Sequence, residues 1–193
     1  MANERFEIRI AGSGGQGVIL ATELIGHAIA LYEEGLYVVQ TQAIGPEARG
    51  GRSNAEVVIS RSPIDYPKVV APNLQVILTQ AAADQFGRDS MPGGRIVYDD
   101  FFVTDVPGGA GVDACVYMLP IVRTAREMGK EIVTNMIALG CIGRVLDLEK
   151  IASGDSLRKA IADHFPDKKL ADLNIAAFDA GYGLFKQSPL PLI

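Results

Sequence analysis

The spacing of hydrophobic and polar positions changes several times along the 193-residue chain, and each change marks an element. In FEIRIAG the apolar residues Phe6, Ile8 and Ile10 alternate with polar ones, the two-residue period of a strand. Beyond a run of glycines, Val18, Ala21, Ile25, Ala28 and Tyr32 recur at helical spacing. That predicts an amphipathic helix of about 17 residues, with Gly35 in the position that favours a left-handed turn. LYVVQTQAI (36–44) predicts a second strand, and strand, glycine turn, helix and strand together predict a right-handed parallel βαβ unit.

SNAEVVISR (53–61) predicts a third strand. The loop GPEARGGR (45–52) before it is too short for a helical crossover, so this strand is expected to run antiparallel in a mixed sheet. SPIDYPKVVAPN holds three prolines and reads as a connection. LQVILTQ (74–80) is apolar almost throughout, as in a strand buried on both faces; a short helix (AAADQFGRDSM) and a strand, GRIVYDD (94–100), follow. ACVYMLP (114–120) predicts another strand, leading into a helix near 121–129. From 131 onward the period is helical: 134–146 with Thr134 as N-cap, 156–165 and 169–185. The small residues Ala138, Gly140 and Gly143 allow close packing, either within the fold or against another subunit. With no internal repeat or linker, residues 1–193 are expected to form one α/β domain with a helical C-terminal part.

Composition narrows the classes. The chain is 48% hydrophobic and 21% charged, which is ordinary for a globular protein. A net charge of −5 with no basic run argues against nucleic-acid binding. The charged N-terminus lacks a signal-peptide core, and no apolar run is long enough to span a membrane, so a cytoplasmic location is expected. Two cysteines (Cys115, Cys141) and two histidines (His27, His164), all scattered, supply neither a zinc site nor an iron–sulfur cluster. No nucleophile–base set is visible, and the catalytic and metal-ligand sets are expected to be empty.

Two glycine-rich loops carry the candidate chemistry. GSGGQG (12–17) has the G-x-G-x-x-G spacing of a phosphate-binding turn between strand and helix, where free N–H groups and the helix end favour an anion. An NAD or FAD site also needs an acid at the end of the second strand to hold the ribose hydroxyls. That strand ends Gln40-Thr41-Gln42-Ala43, and Glu33 and Glu34 precede it at the wrong end. No GK[ST] follows, which excludes a Walker loop. The second loop, GPEARGGR, starts at the carboxyl end of the second strand, so the two loops are expected side by side at the ligand-binding edge of the sheet. Arg49 and Arg52 offer forked cations, Gly50 and Gly51 allow close backbone approach, Pro46 stiffens the loop, and Glu47 is placed to pair an arginine. A local ion pair and a glycine turn used only for packing remain alternative readings. Asp99, Asp100 and Asp105 stand at strand ends, where carboxylates can bind Mg²⁺, yet the diphosphate–magnesium signature GDG of thiamine enzymes is absent.

Together, GSGGQGVILATELIGHA, TQAIGPEARGGRSNAEVVIS and NMIALG resemble the gamma subunit, or gamma domain, of 2-oxoacid:ferredoxin oxidoreductases over nearly the whole chain. GPEARGG followed by S-x-AEVVIS is most similar to the 2-oxoglutarate (KorC-type) branch. The resemblance implies a three-layer α/β/α fold with a mostly parallel, mixed sheet, of the type of domain III of pyruvate:ferredoxin oxidoreductase. It also implies a complex that decarboxylates a 2-oxoacid on thiamine diphosphate, passes two electrons through [4Fe-4S] clusters to ferredoxin, and transfers the acyl group to coenzyme A. Thiamine diphosphate and the clusters would sit on alpha, beta and small ferredoxin-like delta subunits. The implied site residues here are Gly14, Gly15, Gln16 and Gly17, with Gly45, Pro46, Glu47, Arg49, Gly50 and Gly51, placed to receive coenzyme A or to shape the neighbouring thiamine site. A free-standing coenzyme A- or nucleotide-binding protein is the competing reading, and co-purification with partner subunits separates the two.

Overall fold

A computed structural model describes residues 5–44, 52–108 and 114–187. Six strands form one sheet in the order β2-β3-β1-β4-β5-β6: β1 Arg5–Ser13, β2 Tyr37–Ile44, β3 Arg52–Ser60, β4 Leu74–Ile77, β5 Arg95–Asp99 and β6 Cys115–Leu119. β1, β4, β5 and β6 pair in parallel, and β3 alone is antiparallel to both its neighbours, β1 and β2. The expected mixed sheet is therefore present, with one change. β1 and β2 point the same way as expected of a βαβ unit, but they do not touch, because β3 is inserted between them. Its nine residues, with the β-branched run Val57-Val58-Ile59, pair with β1 along its full length (Arg5↔Ser60 to Ser13↔Arg52).

The helices are α1 Val18–Tyr32, α2 Gln80–Phe86, α3 Ile121–Glu127, α4 Thr134–Leu148, α5 Gly154–His164 and α6 Lys168–Gln187. The two sheet faces are unequally covered. Phe6, Ile8 and Ile10 of β1, with Val57, Leu74 and Val97 from neighbouring strands, meet α1, α3, α4, α5 and α6 in the main core. On the opposite face Ile77, Ile96 and Tyr98 pack with Ala82 and Ala83 of α2 and with Val103 in a smaller cluster. β4 is shorter than expected, since the Thr79 side chain leaves the strand to accept from the Ala82 N–H and cap α2.

The polar half of the β1 alternation does not face water. Glu7 and Arg9 are buried on the α2 side. Arg9 donates to Glu56, its cross-strand partner (2.8 Å), and to Asp89 (3.1 Å), and lies 4.7 Å over the Phe86 ring. Glu7 accepts from the Val70 and Ala71 N–H groups, while Arg5 donates to the Tyr66 and Lys68 carbonyls. These contacts satisfy buried charges that would otherwise be costly, and they fix the proline-rich connection across the sheet.

α4 is buried on nearly every side, with twelve of its fifteen residues inside, which accounts for its largely apolar sequence. Thr134 is its first residue rather than its N-cap. A 3-10 turn at Glu131–Val133 runs directly into the helix, and the Thr134 hydroxyl donates back to the Glu131 carbonyl (2.6 Å). α4 crosses α6 where Gly140 faces Phe178 and Gly181 faces Ile137. A Cβ on Gly140 would sit 2.0 Å from the Phe178 oxygen, and one on Gly181 would sit 1.9 Å from the Ile137 oxygen. Gly140 and Gly143 thus serve packing inside the domain.

Candidate functional site

The glycine turn is closed by its own hydrogen bonds. The Gln16 N–H donates to the Ser13 carbonyl (3.1 Å), and Gln16 Oε1 accepts the Ser13 N–H (2.8 Å). A Cβ at Gly12 would lie 2.4 Å from Gln16 Oε1, so this reciprocal closure needs glycine at the strand end. Gln16 is thereby a scaffold residue, its oxygen committed to the turn. Gly17 then takes a left-handed conformation (φ 69°) as the N-cap of α1, and Gly15 has φ 98°; both favour glycine. Gly14 and Gly15 are exposed, and nothing stands within 4 Å of a Cβ on Gly15.

Asn135, at the start of α4, holds the far side of the turn. Its Nδ2 lies 3.4 Å from the Gly17 carbonyl and would be 2.5 Å from a Cβ on Gly17. Sequence reasoning missed both Asn135 and Gly12 as site residues. NMIALG begins with this asparagine, but only the fold brings it 118 positions back to the turn. No side chain caps α1, and its first turn carries no acid. Among the described residues, then, no side chain competes for its leading N–H groups, an arrangement that fits an anion.

Register places the second loop. Arg52, the first residue of β3, pairs with Ser13 at the mouth of the glycine turn, and Ile44 pairs with Ser53. The connection 45–51 thus leaves and returns beside the first loop, at the carboxyl ends of β1 and β2. Gly45, Pro46, Glu47, Arg49, Gly50 and Gly51 themselves lie outside the described residues. On the α2 side of the same edge, a cavity of about 260 Å³ is lined by Thr41, Gln42, Ala43, Asn54, Glu56 and Lys68. Ala43 and Asn54 are level with Ala11, one residue below the turn.

The remaining candidates have other work. Glu33 accepts from the Ser153 N–H (2.8 Å) and the Ser156 hydroxyl (2.6 Å), which ties α1 to the start of α5. Asp99 is fully buried and accepts three backbone N–H groups, from Phe101, Phe102 and Val122. Burial raises its pKa, opposed by those three donors. It clamps the loop after β5 to the start of α3. Cys141 is buried and its thiol is pushed up to about 12 by desolvation. His27 and His164 are exposed on α1 and α5. Among the described residues, no three His, Cys, Asp or Glu side chains gather to hold a metal, and no helix is long and apolar enough to cross a membrane.

Comparison with known proteins agrees with this frame. Residues 7–184 match the family model described as pyruvate ferredoxin/flavodoxin oxidoreductase. The chain is 44% identical over 184 residues to the 2-oxoglutarate synthase subunit KorC of Methanocaldococcus jannaschii, covering 95% of each. It superposes on the gamma subunit of a keto/oxoacid ferredoxin oxidoreductase from Geobacter sulfurreducens with a TM-score of 0.82 at 33% identity, covering 97% of this chain and all of that one. It also matches a 2-oxoglutarate:ferredoxin oxidoreductase from Magnetococcus marinus, solved with 2-oxoglutarate, coenzyme A and succinyl-CoA bound (TM-score 0.83, 26% identity). That match covers 95% of this chain but 31% of the other. With the family model spanning residues 7–184 and the Methanocaldococcus jannaschii relative matched over 95% of both chains, the chain belongs to the pyruvate ferredoxin/flavodoxin oxidoreductase family.

Proposed function

We propose that the chain works in the cytoplasm as the gamma subunit of a 2-oxoglutarate-type 2-oxoacid:ferredoxin oxidoreductase, and that its two glycine loops receive coenzyme A. Thiamine diphosphate and the [4Fe-4S] clusters reside on the alpha, beta and ferredoxin-like delta partners. The observation that carries the coenzyme A role is the open end of α1. Gln16 and Asn135 lock the turn from behind, Gly14 and Gly15 stay exposed in front, and the arginine-bearing connection 45–51 starts and ends beside them. Coenzyme A carries a pyrophosphate and a 3′-phosphate, which suit a helix N-terminus flanked by guanidinium groups.

In this role the chain orients a substrate and supplies no reacting group. Outward N–H groups at the α1 terminus hold the diphosphate, and Arg49 adds a charge-assisted contact. The thioester-forming end is thereby presented to the acyl group held on the partner. Binding energy gained at the remote phosphates raises the effective concentration of the thiol at the reacting carbon. The free-standing alternative is less well supported, because the relatives that match end to end are named as subunits.

The test is Arg49→Ala in the assembled complex. Losing one charge-assisted contact corresponds to roughly 1.5–3 kcal/mol, so the apparent KM for coenzyme A should rise about tenfold or more. An unchanged KM with an intact complex would remove the coenzyme A role. If thiamine diphosphate affinity fell instead, the loops would be shaping the partner's pocket.

A further inference from the structure

We infer that the polar cavity over β2 and β3 binds a small hydroxy- or oxo-carboxylate, held through Lys68, Thr41 and Asn54. This site goes beyond the coenzyme A reading and does not depend on it. Its position follows from what covers the sheet. On the α2 side the apolar cluster draws on β1, β4, β5 and β6, and among the described residues β2 and β3 contribute nothing to it. Those two strands are instead polar on this face. Thr41 pairs with Glu56 and Ala43 with Asn54, so these four side chains share the face of Arg9 and Ala11. The connection 61–73 lies across the sheet here in place of a helix, and charged side chains of the strands hold it down. Arg5 donates to the Tyr66 and Lys68 carbonyls (2.8 Å each), and Glu7 accepts from the Val70 and Ala71 N–H groups (2.8 and 2.9 Å). Lys68 is thereby fixed at the cavity wall.

Charge selects the kind of guest. Glu56, with its side chain 13% exposed, has one carboxylate oxygen 2.8 Å from Arg9 Nε, so its charge is already balanced. Lys68 has no ion-pair partner among the described residues, which leaves its ammonium to meet an incoming oxyanion. An ammonium makes a point contact rather than the forked contact that an arginine gives a phosphate. With the Glu56 carboxylate on the same lining, a doubly charged phosphate is repelled more than a singly charged carboxylate.

Size and polarity fix the rest. A volume of about 260 Å³ corresponds to roughly eight waters at about 30 Å³ each, and lies below the roughly 300–1,000 Å³ of pockets for drug-sized molecules. A small organic acid fits this space and a nucleotide does not. The Thr41 hydroxyl and the Asn54 and Gln42 amides can each donate or accept, which suits a hydroxyl or keto oxygen beside the carboxylate. Ala43 offers an apolar contact to the carbon skeleton.

Isothermal titration of the full chain with 2-oxobutyrate, 2-hydroxybutyrate, butyrate and inorganic phosphate tests the site. The oxo and hydroxy acids should bind one to one with Kd on the order of 1 mM, as expected for ligands of this size. Butyrate, which lacks the second oxygen function, should bind about threefold or more weakly. Lys68→Gln should weaken 2-oxobutyrate about tenfold or more, whereas Lys169→Gln, at an exposed lysine of α6, should leave it unchanged. Lys68→Gln should keep the wild-type Tm, because Arg5 holds the backbone carbonyl at 68 and not the side chain. Thr41→Val should erase the preference for 2-oxobutyrate over butyrate. Absence of binding by either oxygenated acid well above that concentration would leave the cavity to water and overturn the inference, with the coenzyme A role untouched. Binding that Lys68→Gln does not weaken would place the ligand elsewhere and overturn it as well. Phosphate bound through Lys68 more tightly than the carboxylates would overturn the ligand class.

Discussion

Gly181→Ala and Gly183→Ala are two methyl additions two residues apart on α6, and the structure assigns them opposite signs. At Gly181 the new Cβ would stand 1.9 Å from the Ile137 oxygen and under 3 Å from two more backbone atoms of α4. No rotamer change relieves a clash with backbone, so the two helices must part by roughly 1 Å or more in a close-packed interior. Overpacking of this kind costs about 1–3 kcal/mol, more when main chain is involved. The helix preference for alanine, about 1 kcal/mol, opposes it. Contacts with backbone place this site at the upper end of that range, about 3 kcal/mol, so the net loss should be about 2 kcal/mol. For a chain of this size that lowers Tm by roughly 4–8 °C. At Gly183 nothing lies within 4 Å of the added Cβ, so the alanine preference acts alone and Tm should rise by a few degrees. Thermal melts followed by circular dichroism read both shifts. Tm changes of the same sign in the two variants would refute the crossing geometry of α4 and α6.

Further expectations follow from the site. Gly17→Ala should destabilise by about 1–2 kcal/mol from its left-handed backbone alone, with the Asn135 clash added. Adding Asn135→Ala removes the clash but not the strain, so the double variant should recover part of the loss, and purely additive losses in a double-mutant cycle would contradict the contact. Asp99→Asn turns a donor toward buried N–H groups and should cost about 1–3 kcal/mol in chemical denaturation, with the 99–103 loop losing hydrogen-exchange protection. Cys141, buried with its thiol pushed up to about 12, should resist iodoacetamide at pH 8 in the native chain and react once unfolded, as mass spectrometry of the labelled peptide would show.

Local signals were legible wherever local contacts decide the structure. The Phe6/Ile8/Ile10 alternation, the glycine turn and the helical spacing from Val18 to Tyr32 all sit where the sequence puts them. The short 45–52 loop was enough to foretell the antiparallel strand. Non-local partners were not legible. Nothing near β2 says that β3 will slide between it and β1, because that choice depends on pairing between residues nearly fifty positions apart. The alternation does not say what meets Glu7 and Arg9, which the 66–73 connection and the α2 side cover. In the site, the sequence places Gln16 in the turn without showing that its oxygen accepts the Ser13 N–H there. Asn135 carried no phosphate-binding signature at all, since it supports the turn from behind and its relevance exists only after α4 has packed against α1.

In the proposed role, this chain gives the complex its hold on coenzyme A. The most direct test is ferredoxin reduction with 2-oxoglutarate as a function of coenzyme A concentration, run on the partner subunits with and without this chain. The complete assembly should saturate with coenzyme A, and leaving the chain out should abolish or strongly weaken that saturation. Partner subunits that keep the same KM for coenzyme A and the same turnover without this chain would contradict it.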